Sequence, residues 1–111
     1  MKRTIVIKSD RFGRGDDELG VRLMNSFLRT LLALEAKPDR IVFYNGGVKL
    51  LAEGSPVLDV LDELNRAGVL LVACGTCVSH FKLDEKVRSE RISNMREIAT
   101  ILMESENVVT V

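Results

Sequence analysis

The chain lacks several features that mark large classes of protein. It contains no Trp, and aromatic residues make up only 5% of its 111 positions. A stacking surface for single-stranded nucleic acid is therefore not expected. Basic and acidic residues number 16 each, so no net charge draws the chain to nucleic acid or to an anionic membrane. No apolar run is long enough to span a bilayer.

No signal peptide is expected at the N-terminus, because the first apolar run is short and is followed at once by Lys8. We therefore expect a cytoplasmic protein with no membrane partner. In that reducing compartment, its two cysteines are expected to be free, catalytic or metal-bound rather than joined in a structural disulfide. Cys74, Cys77 and His80 could share one face of a helix, but structural zinc needs four ligands. Since the chain has no further Cys or His, we expect no metal and no other cofactor.

The amino-acid composition indicates one globular domain over residues 1–111. Hydrophobic residues make up 46% of the chain and charged residues 29%, which is ordinary for a folded domain with one core. Apolar runs predict strands at 4–7, 40–44, 69–73 and 107–111. A short fourth strand is expected at 88–92, in a segment that is dense in charge and weakly patterned. Between them, helices are predicted after Asp16, from Ser55 and Pro56, and after a cap at Ser93. Strands that alternate with helices predict an α/β fold with a parallel sheet and helices on both faces.

The longest predicted helix, 17–36, follows a glycine-containing loop. Its apolar face is predicted to include Leu19, Leu23, Met24, Phe27, Leu28, Leu31 and Leu32. The loop does not fit a dinucleotide site, because the glycine spacing is wrong and three acidic residues occupy the anion-binding end of the helix. These residues, Asp16, Asp17 and Glu18, suit the helix dipole, and we expect them to form an interaction surface rather than a catalytic pair.

The most informative segment is Cys74-Gly75-Thr76-Cys77, which directly follows the third predicted strand. The carboxyl edge of a parallel sheet is where binding sites are usually built. A helix that begins at Gly75 or Thr76 would favour a thiolate over a thiol. His80 could accept a proton from Cys77, although a solvent-facing role is the commoner one for such a residue.

The end of the second predicted strand reaches the same edge of the sheet. Asn45, Gly46 and Gly47 follow that strand and are expected to form a turn that needs positive φ angles. Their backbone amides could also line a pocket beside Cys74. Two other interpretations of the cysteines stay open: both could be inert and buried, or they could form a thioredoxin-like redox pair. The redox pair is less well supported, because neither Pro38 nor Pro56 lies where the proline loop that faces a thioredoxin-like site would be.

The sequence resembles the DsrE/DsrF-like family, and most closely the C-terminal DsrE-like domain of the YedF-type selenium-metabolism proteins. The matching pieces follow one another along nearly the whole chain. They are Ser9-Asp10, Gly13-x-Gly15-Asp16-Asp17-Glu18-Leu19-Gly20, Leu23-Met24, Phe43-Tyr44-Asn45-x-Gly47-Val48-Lys49-Leu50, Glu53-Gly54-Ser55, Cys74-Gly75-Thr76-Cys77 and Ser93-Asn94-Met95.

This resemblance implies a three-layer α/β/α sandwich with a five-stranded parallel sheet, of the DsrEFH-like kind. It also implies a homo-oligomer, either a trimer or a hexamer. In the sulfur-relay members, a cysteine at the end of the third strand carries a persulfide, and Cys74 occupies that position here. YedF-type proteins usually carry an additional TusA-like sulfur-carrier domain, so a TusA-like protein or domain is the expected partner.

We therefore expect Cys74 to accept sulfur or selenium from a TusA-like carrier. Cys77 would resolve the persulfide or share the cargo. Backbone amides near Gly46, Gly47 and Gly75 would line the pocket, with Asn45, Thr76 and His80 in support. Two alternatives stay open: a non-catalytic interaction or oligomerisation module, and a dithiol redox protein. The sequence leaves open whether the chain is an enzyme.

Overall fold

A five-stranded parallel sheet forms the centre of the protein. The computed structural model describes residues 2–111. The strand order across the sheet is β4-β3-β2-β1-β5, and every neighbouring pair is parallel. The predicted α/β architecture is therefore confirmed. The strands are β1 (Arg3–Ile7), β2 (Arg40–Phe43), β3 (Leu70–Cys74), β4 (Ile92–Ser93) and β5 (Asn107–Thr110).

Four α-helices connect the strands. They are α1 (Asp17–Ala33), α2 (Leu58–Arg66), α3 (Gly75–His80) and α4 (Met95–Glu104), and two 3₁₀ segments span Asn45–Leu51 and Ser89–Arg91. The carboxylate of Asp16 caps α1 as predicted, because it accepts the Leu19 N–H at 2.8 Å. Within residues 2–111, no helix combines the length and the hydrophobicity needed to cross a membrane.

Two apolar clusters, one on each face of the sheet, give the fold its three layers. Alternate residues of a strand point to opposite faces. Ile5, Ile7, Ile41 and Phe43 pack with the buried side chains of α1, α2 and α3 in the larger cluster. The smaller cluster joins Val42, Val72 and Cys74 to Ile98 and Ile101. The last two residues belong to α4, which links the edge strands β4 and β5.

The buried face of α1 is rotated from the predicted one. Leu19 is 49% exposed and Leu23 is 41% exposed, whereas Gly20, Met24, Leu28 and Leu31 are buried. The preceding loop explains the rotation, because the Phe12 N–H donates to the Gly20 carbonyl at 3.0 Å. A Cβ atom on Gly20 would lie only 2.9 Å from the Cβ of Arg11. The loop therefore covers the side of the helix where only a glycine fits.

The start of α2 lies later than predicted. The helix begins at Leu58 rather than at Pro56, because Ser55 closes a turn in front of it. The Ser55 carbonyl accepts the Leu58 N–H at 3.3 Å, and its hydroxyl accepts the Val57 N–H at 3.3 Å. The end of the helix agrees with expectation, since Gly68 adopts a φ of 103° just beyond it.

The cap of α4 and the length of β4 also differ from expectation. Asn94, not Ser93, caps α4, since its side chain accepts the Glu97 N–H at 2.9 Å. Ser93 belongs to β4, which is only two residues long. The strand is short because the three residues before it, Ser89–Arg91, form a 3₁₀ turn. Within this turn Arg91 is 4% exposed and donates to the Asp62 carboxylate at 2.8 Å.

Candidate functional site

The two cysteines lie on either side of the junction between β3 and α3. Cys74 is the last residue of β3, and the helix begins at Gly75 as predicted. The Cys74 side chain is only 1% exposed and packs in the smaller cluster beneath α4. Cys77 follows three residues later and is half-buried. Both thiols are free. The junction therefore holds one buried thiol and one that solvent reaches.

Cys77 lines an open depression of about 280 Å³ at the surface. The other lining residues are Asn45, Thr76, His80 and Phe81. The structure thus brings three of the predicted support residues, Asn45, Thr76 and His80, together with Cys77. Cys74 does not line the depression, because its side chain is turned into the core. A reagent that enters from solvent meets Cys77 first.

The sulfur of Cys77 accepts a hydrogen bond from the backbone of another segment. The N–H of Asn45 donates to Cys77 Sγ across 3.0 Å, although the two residues are 32 positions apart in the chain. Asn45 is the first residue of the 3₁₀ segment that follows β2. Its φ angle is 50°, in the left-handed region that few residues other than Gly adopt readily.

Three influences act on the pKa of Cys77. Burial is the largest and raises the pKa above its ordinary value, because it disfavours the charged form. The hydrogen bond from the Asn45 amide lowers the pKa, and the neighbouring Cys74 side chain raises it further. The net result is a raised pKa, so Cys77 rests as a neutral thiol.

The glycines of the site permit close packing and are not needed for positive φ angles. Among Asn45, Gly46 and Gly47, only Asn45 has a positive φ, so that part of the turn prediction is wrong. A Cβ atom on Gly47 would lie 2.1 Å from the carbonyl oxygen of Ile7. At Gly75 it would lie 2.7 Å from the carbonyl oxygen of Ser93, whereas a Cβ on Gly46 would meet nothing closer than 3.7 Å.

Two residues around the depression were missed by sequence reasoning. The ring of Phe81 packs edge-on against His80, with ring centroids 5.1 Å apart, and the ammonium group of Lys49 lies 4.5 Å from the Phe81 centroid. Phe81 follows Cys77 by four positions, and residues at that spacing share a helix face. That spacing was the available signal for Phe81. No comparable signal in the sequence links Lys49 to the cysteines.

The predicted acidic surface lies away from the depression. Asp16, Asp17 and Glu18 are exposed at the start of α1, and none of them lines the depression. Across residues 2–111, no group of three or more His, Cys, Asp or Glu side chains is arranged to hold a metal ion.

Fold and site together define a parallel α/β protein with a pair of free thiols at the carboxyl edge of its sheet. The chain belongs to the DsrE/DsrF-like family, whose sequence model matches residues 1–111. A comparison with curated proteins finds no match.

Solved structures with a similar fold cover nearly the whole chain. MTH1491 of Methanobacterium thermoautotrophicum, a protein of unknown function, has 25% sequence identity and a TM-score of 0.70, with 100% of both chains covered. The ychN protein of E. coli has 18% identity and a TM-score of 0.69, covering 99% of this chain and 98% of its own. BT1422 of Bacteroides thetaiotaomicron, a conserved protein of unknown function, has 12% identity and a TM-score of 0.64, covering 99% and 95%. At these identities ychN and BT1422 support the fold alone.

Proposed function

We propose that this protein is a carrier in a sulfur relay, in which its two thiols receive sulfur as a persulfide and pass it on. The observation that supports this proposal is the open depression at Cys77, with the buried Cys74 one helical turn away. Membership of the DsrE/DsrF-like family supports a role related to sulfur relay. Selenium, which shares this chemistry, is an alternative cargo.

Sulfur enters at Cys77 in this proposal. The Cys77 thiolate attacks the outer sulfur of a donor persulfide, R–S–SH. A bond forms between Cys77 Sγ and that sulfur, the S–S bond of the donor breaks, and the donor leaves as its thiolate. The proton given up by Cys77 ends on the departing donor. No oxidant or reductant is required, because one S–S bond replaces another.

Cys74 then takes the sulfur from Cys77 by the same reaction, and the proton moves from Cys74 to Cys77. Cys74 holds the position that the family resemblance assigns to the persulfide. Its 1% exposure supports a storage role, because a buried persulfide is shielded from thiols in solution. The order of the two cysteines differs from the one expected from the sequence, in which Cys74 accepts sulfur directly. The reason is that Cys77 is the thiol on the solvent side.

The proposed donor is a TusA-like sulfur carrier, either a separate protein or a domain of a YedF-type chain. The depression has about 280 Å³ of space, enough for one cysteine side chain with its terminal sulfur but not for a folded surface. The donor cysteine would therefore enter on an extended segment or loop.

Mass spectrometry of the intact protein tests the relay. The wild type, Cys74→Ser and Cys77→Ser are each incubated with a persulfidated TusA-like protein, and peptide mapping locates the added sulfur. We expect the wild type to gain sulfur on Cys74, Cys74→Ser to gain it on Cys77, and Cys77→Ser to gain almost none. If Cys77→Ser gains sulfur as fast as the wild type, the proposed order is wrong. If the wild type gains none, the relay itself is excluded.

A second candidate function is a non-catalytic association module. Large apolar side chains that are exposed, Leu19, Leu23 and Met103 among them, favour contacts with other proteins. Thiol accessibility separates the two functions. A relay requires Cys77 to react readily with a small alkylating reagent in the folded protein, whereas a module is compatible with two unreactive cysteines.

A further inference from the structure

Asn45 has an unusual backbone conformation at the point where it contacts Cys77. Within residues 2–111, only Asn45 and Lys82 have a positive φ without being glycine, at 50° and 58°. Such conformations are strained for most residues and persist where the surrounding structure demands them. Asn45 is also the residue whose backbone N–H donates to Cys77 Sγ, at 3.0 Å.

Contacts on both sides hold this amide in place. The Tyr44 N–H donates to the Ile7 carbonyl at 3.2 Å, and the Gly47 N–H donates to the Tyr44 carbonyl at 3.0 Å. Gly47 also lies so close to Ile7 that no side chain fits between them. The turn is therefore fixed to the end of β1 and cannot slide along it. The Tyr44 carbonyl and the Asn45 N–H belong to one planar peptide group, so the bond from Gly47 also fixes the direction of that N–H. A φ of 50° at Asn45 then lets the chain turn back from this plane.

We propose that the backbone amide of Asn45 is the donor that stabilises negative charge on Cys77 sulfur during transfer, and that the left-handed conformation of Asn45 exists to deliver it. This inference rests on the proposed relay. Negative charge is present on Cys77 twice: when its thiolate attacks the donor, and when Cys74 displaces it. A fixed N–H that is already directed at the charged atom stabilises both states without reorganisation.

The Asn45 amide is the hydrogen-bond donor that contacts the Cys77 sulfur. The titratable groups nearby are Cys74 at the end of β3, Tyr44 just after β2, His80 on the same helix, and Lys49, whose ammonium group lies 4.5 Å from the Phe81 ring centroid. The Asn45 amide is the influence that lowers the pKa of Cys77, while burial and Cys74 both raise it. Loss of the amide contact would therefore leave burial and Cys74 acting against the thiolate without this opposing contact.

The pH profile of Cys77 alkylation by iodoacetamide tests the inference. All variants are made in a Cys74→Ser background, so that Cys77 is the single thiol in the chain. Asn45→Val strongly disfavours a positive φ and should shift the profile to higher pH, with alkylation at neutral pH slowed about tenfold, the size expected for a hydrogen bond to a charged group. Asn45→Gly keeps the N–H, accepts the conformation and should rescue the profile.

Lys82→Val is the matched control. It places the same residue at the other strained position, where no contact with Cys77 Sγ exists, and should lose stability without shifting the profile. If Asn45→Val fails to fold, Asn45→Ala provides a milder change at the same φ. An unchanged profile in a folded Asn45→Val or Asn45→Ala protein overturns the inference. An equal shift in Lys82→Val or in Asn45→Gly overturns it as well.

A separate sulfur-transfer measurement keeps the two proposals apart. Asn45→Val should accept sulfur from the persulfidated donor about tenfold more slowly than Asn45→Gly, for the same reason as in alkylation. If no variant, including the parent, accepts sulfur while the alkylation profile shifts as expected, the relay fails but the amide contact stands. If sulfur is accepted at equal rates by all variants, the relay stands and the role of Asn45 fails.

Discussion

At the scale of single residues, the two thiols differ through their surroundings alone. Cys74 is enclosed by β2, β3 and α4, whereas Cys77 is half-buried and its sulfur accepts the Asn45 N–H. Burial makes the neutral form of Cys77 the more stable one, which is why its pKa is raised. Reactivity at this site therefore depends on the few contacts that favour the charged sulfur.

The raised pKa of Cys77 predicts how stability changes with pH. The folded protein binds this proton more tightly than the unfolded chain does, so the stabilisation is complete below the ordinary thiol pKa of 9.0. It is lost as the pH rises from there through the raised value. Urea unfolding of the wild type and Cys77→Ser should show the wild type losing more stability over this alkaline range. Parallel pH profiles for the two proteins would contradict the prediction.

Gly47 and Gly46 make a second comparison at the residue scale. Gly47→Ala forces a Cβ against the Ile7 carbonyl and should destabilise the protein by about 3 kcal/mol, as overpacking does elsewhere. Gly46→Ala is the matched control, since its Cβ makes only ordinary contacts, and it should change the stability by less than about 0.5 kcal/mol. Chemical denaturation measures both values. Similar losses for both variants would exclude the proposed clash.

At the scale of elements, the short strand β4 is held to α2 by one buried ion pair. Arg91 precedes β4 and donates to Asp62 on α2 at 2.8 Å, while two of its guanidinium nitrogens, Nε and Nη1, are buried without a hydrogen-bond partner. Arg88 approaches the same carboxylate at 3.9 Å. β4 makes only two residue pairs with β3, at Ala73 and Cys74, so this ion pair adds to a short ladder.

Removal of the Asp62 carboxylate should therefore be costly. Asp62→Ala leaves Arg91 as an uncompensated buried cation and should destabilise the protein by about 3 kcal/mol. Asp59→Ala is the control, because its pair with Arg29 on the surface is exposed to solvent and should contribute far less. Denaturant midpoints compare the two variants. Equal midpoints would show that the buried pair adds nothing beyond an exposed one.

The elements also show where sequence patterns are sufficient. Four of the five strands follow from short apolar runs in the sequence. The predicted fourth strand, 88–92, is largely the 3₁₀ turn Ser89–Arg91, and β4 is Ile92–Ser93, because that segment has no apolar run. The exposed side of α1 was predicted wrongly, since Leu19 and Leu23 continue the apolar periodicity but the loop covers Gly20 instead. The caps at Ser55 and Ser93 were wrong for a similar reason. A hydroxyl can serve a turn or a strand as well as a helix.

At the scale of the whole molecule, the exposed stripe on α1 predicts self-association. Leu19, Leu23 and the half-buried Phe27 follow one another at four-residue spacing along one side of the helix. Size-exclusion chromatography with light scattering should give a mass above the 12.4 kDa of one chain, and the family resemblance leads us to expect a trimer or a hexamer.

A charged side chain introduced into this stripe tests whether α1 forms the contact between chains. Leu23→Glu should lower the mass toward that of one chain. Met103→Glu is the control, because Met103 is 84% exposed on α4, which packs on the opposite face of the sheet from α1. A monomeric wild type would exclude self-association, and an equal effect of both variants would show that α1 is not the specific contact.

The sequence by itself determined the class of fold and the edge of the sheet at which the cysteines lie. Both depend on local patterns: apolar runs, helix caps, and residues that follow directly after a strand. Only the tertiary structure decided which cysteine faces solvent, which backbone amide reaches its sulfur and which glycines have no room for a side chain. Those features join segments that are distant in the chain, such as Asn45 and Cys77 or Ile7 and Gly47. No local pattern encodes such contacts, because they form only when the sheet brings the ends of its strands together.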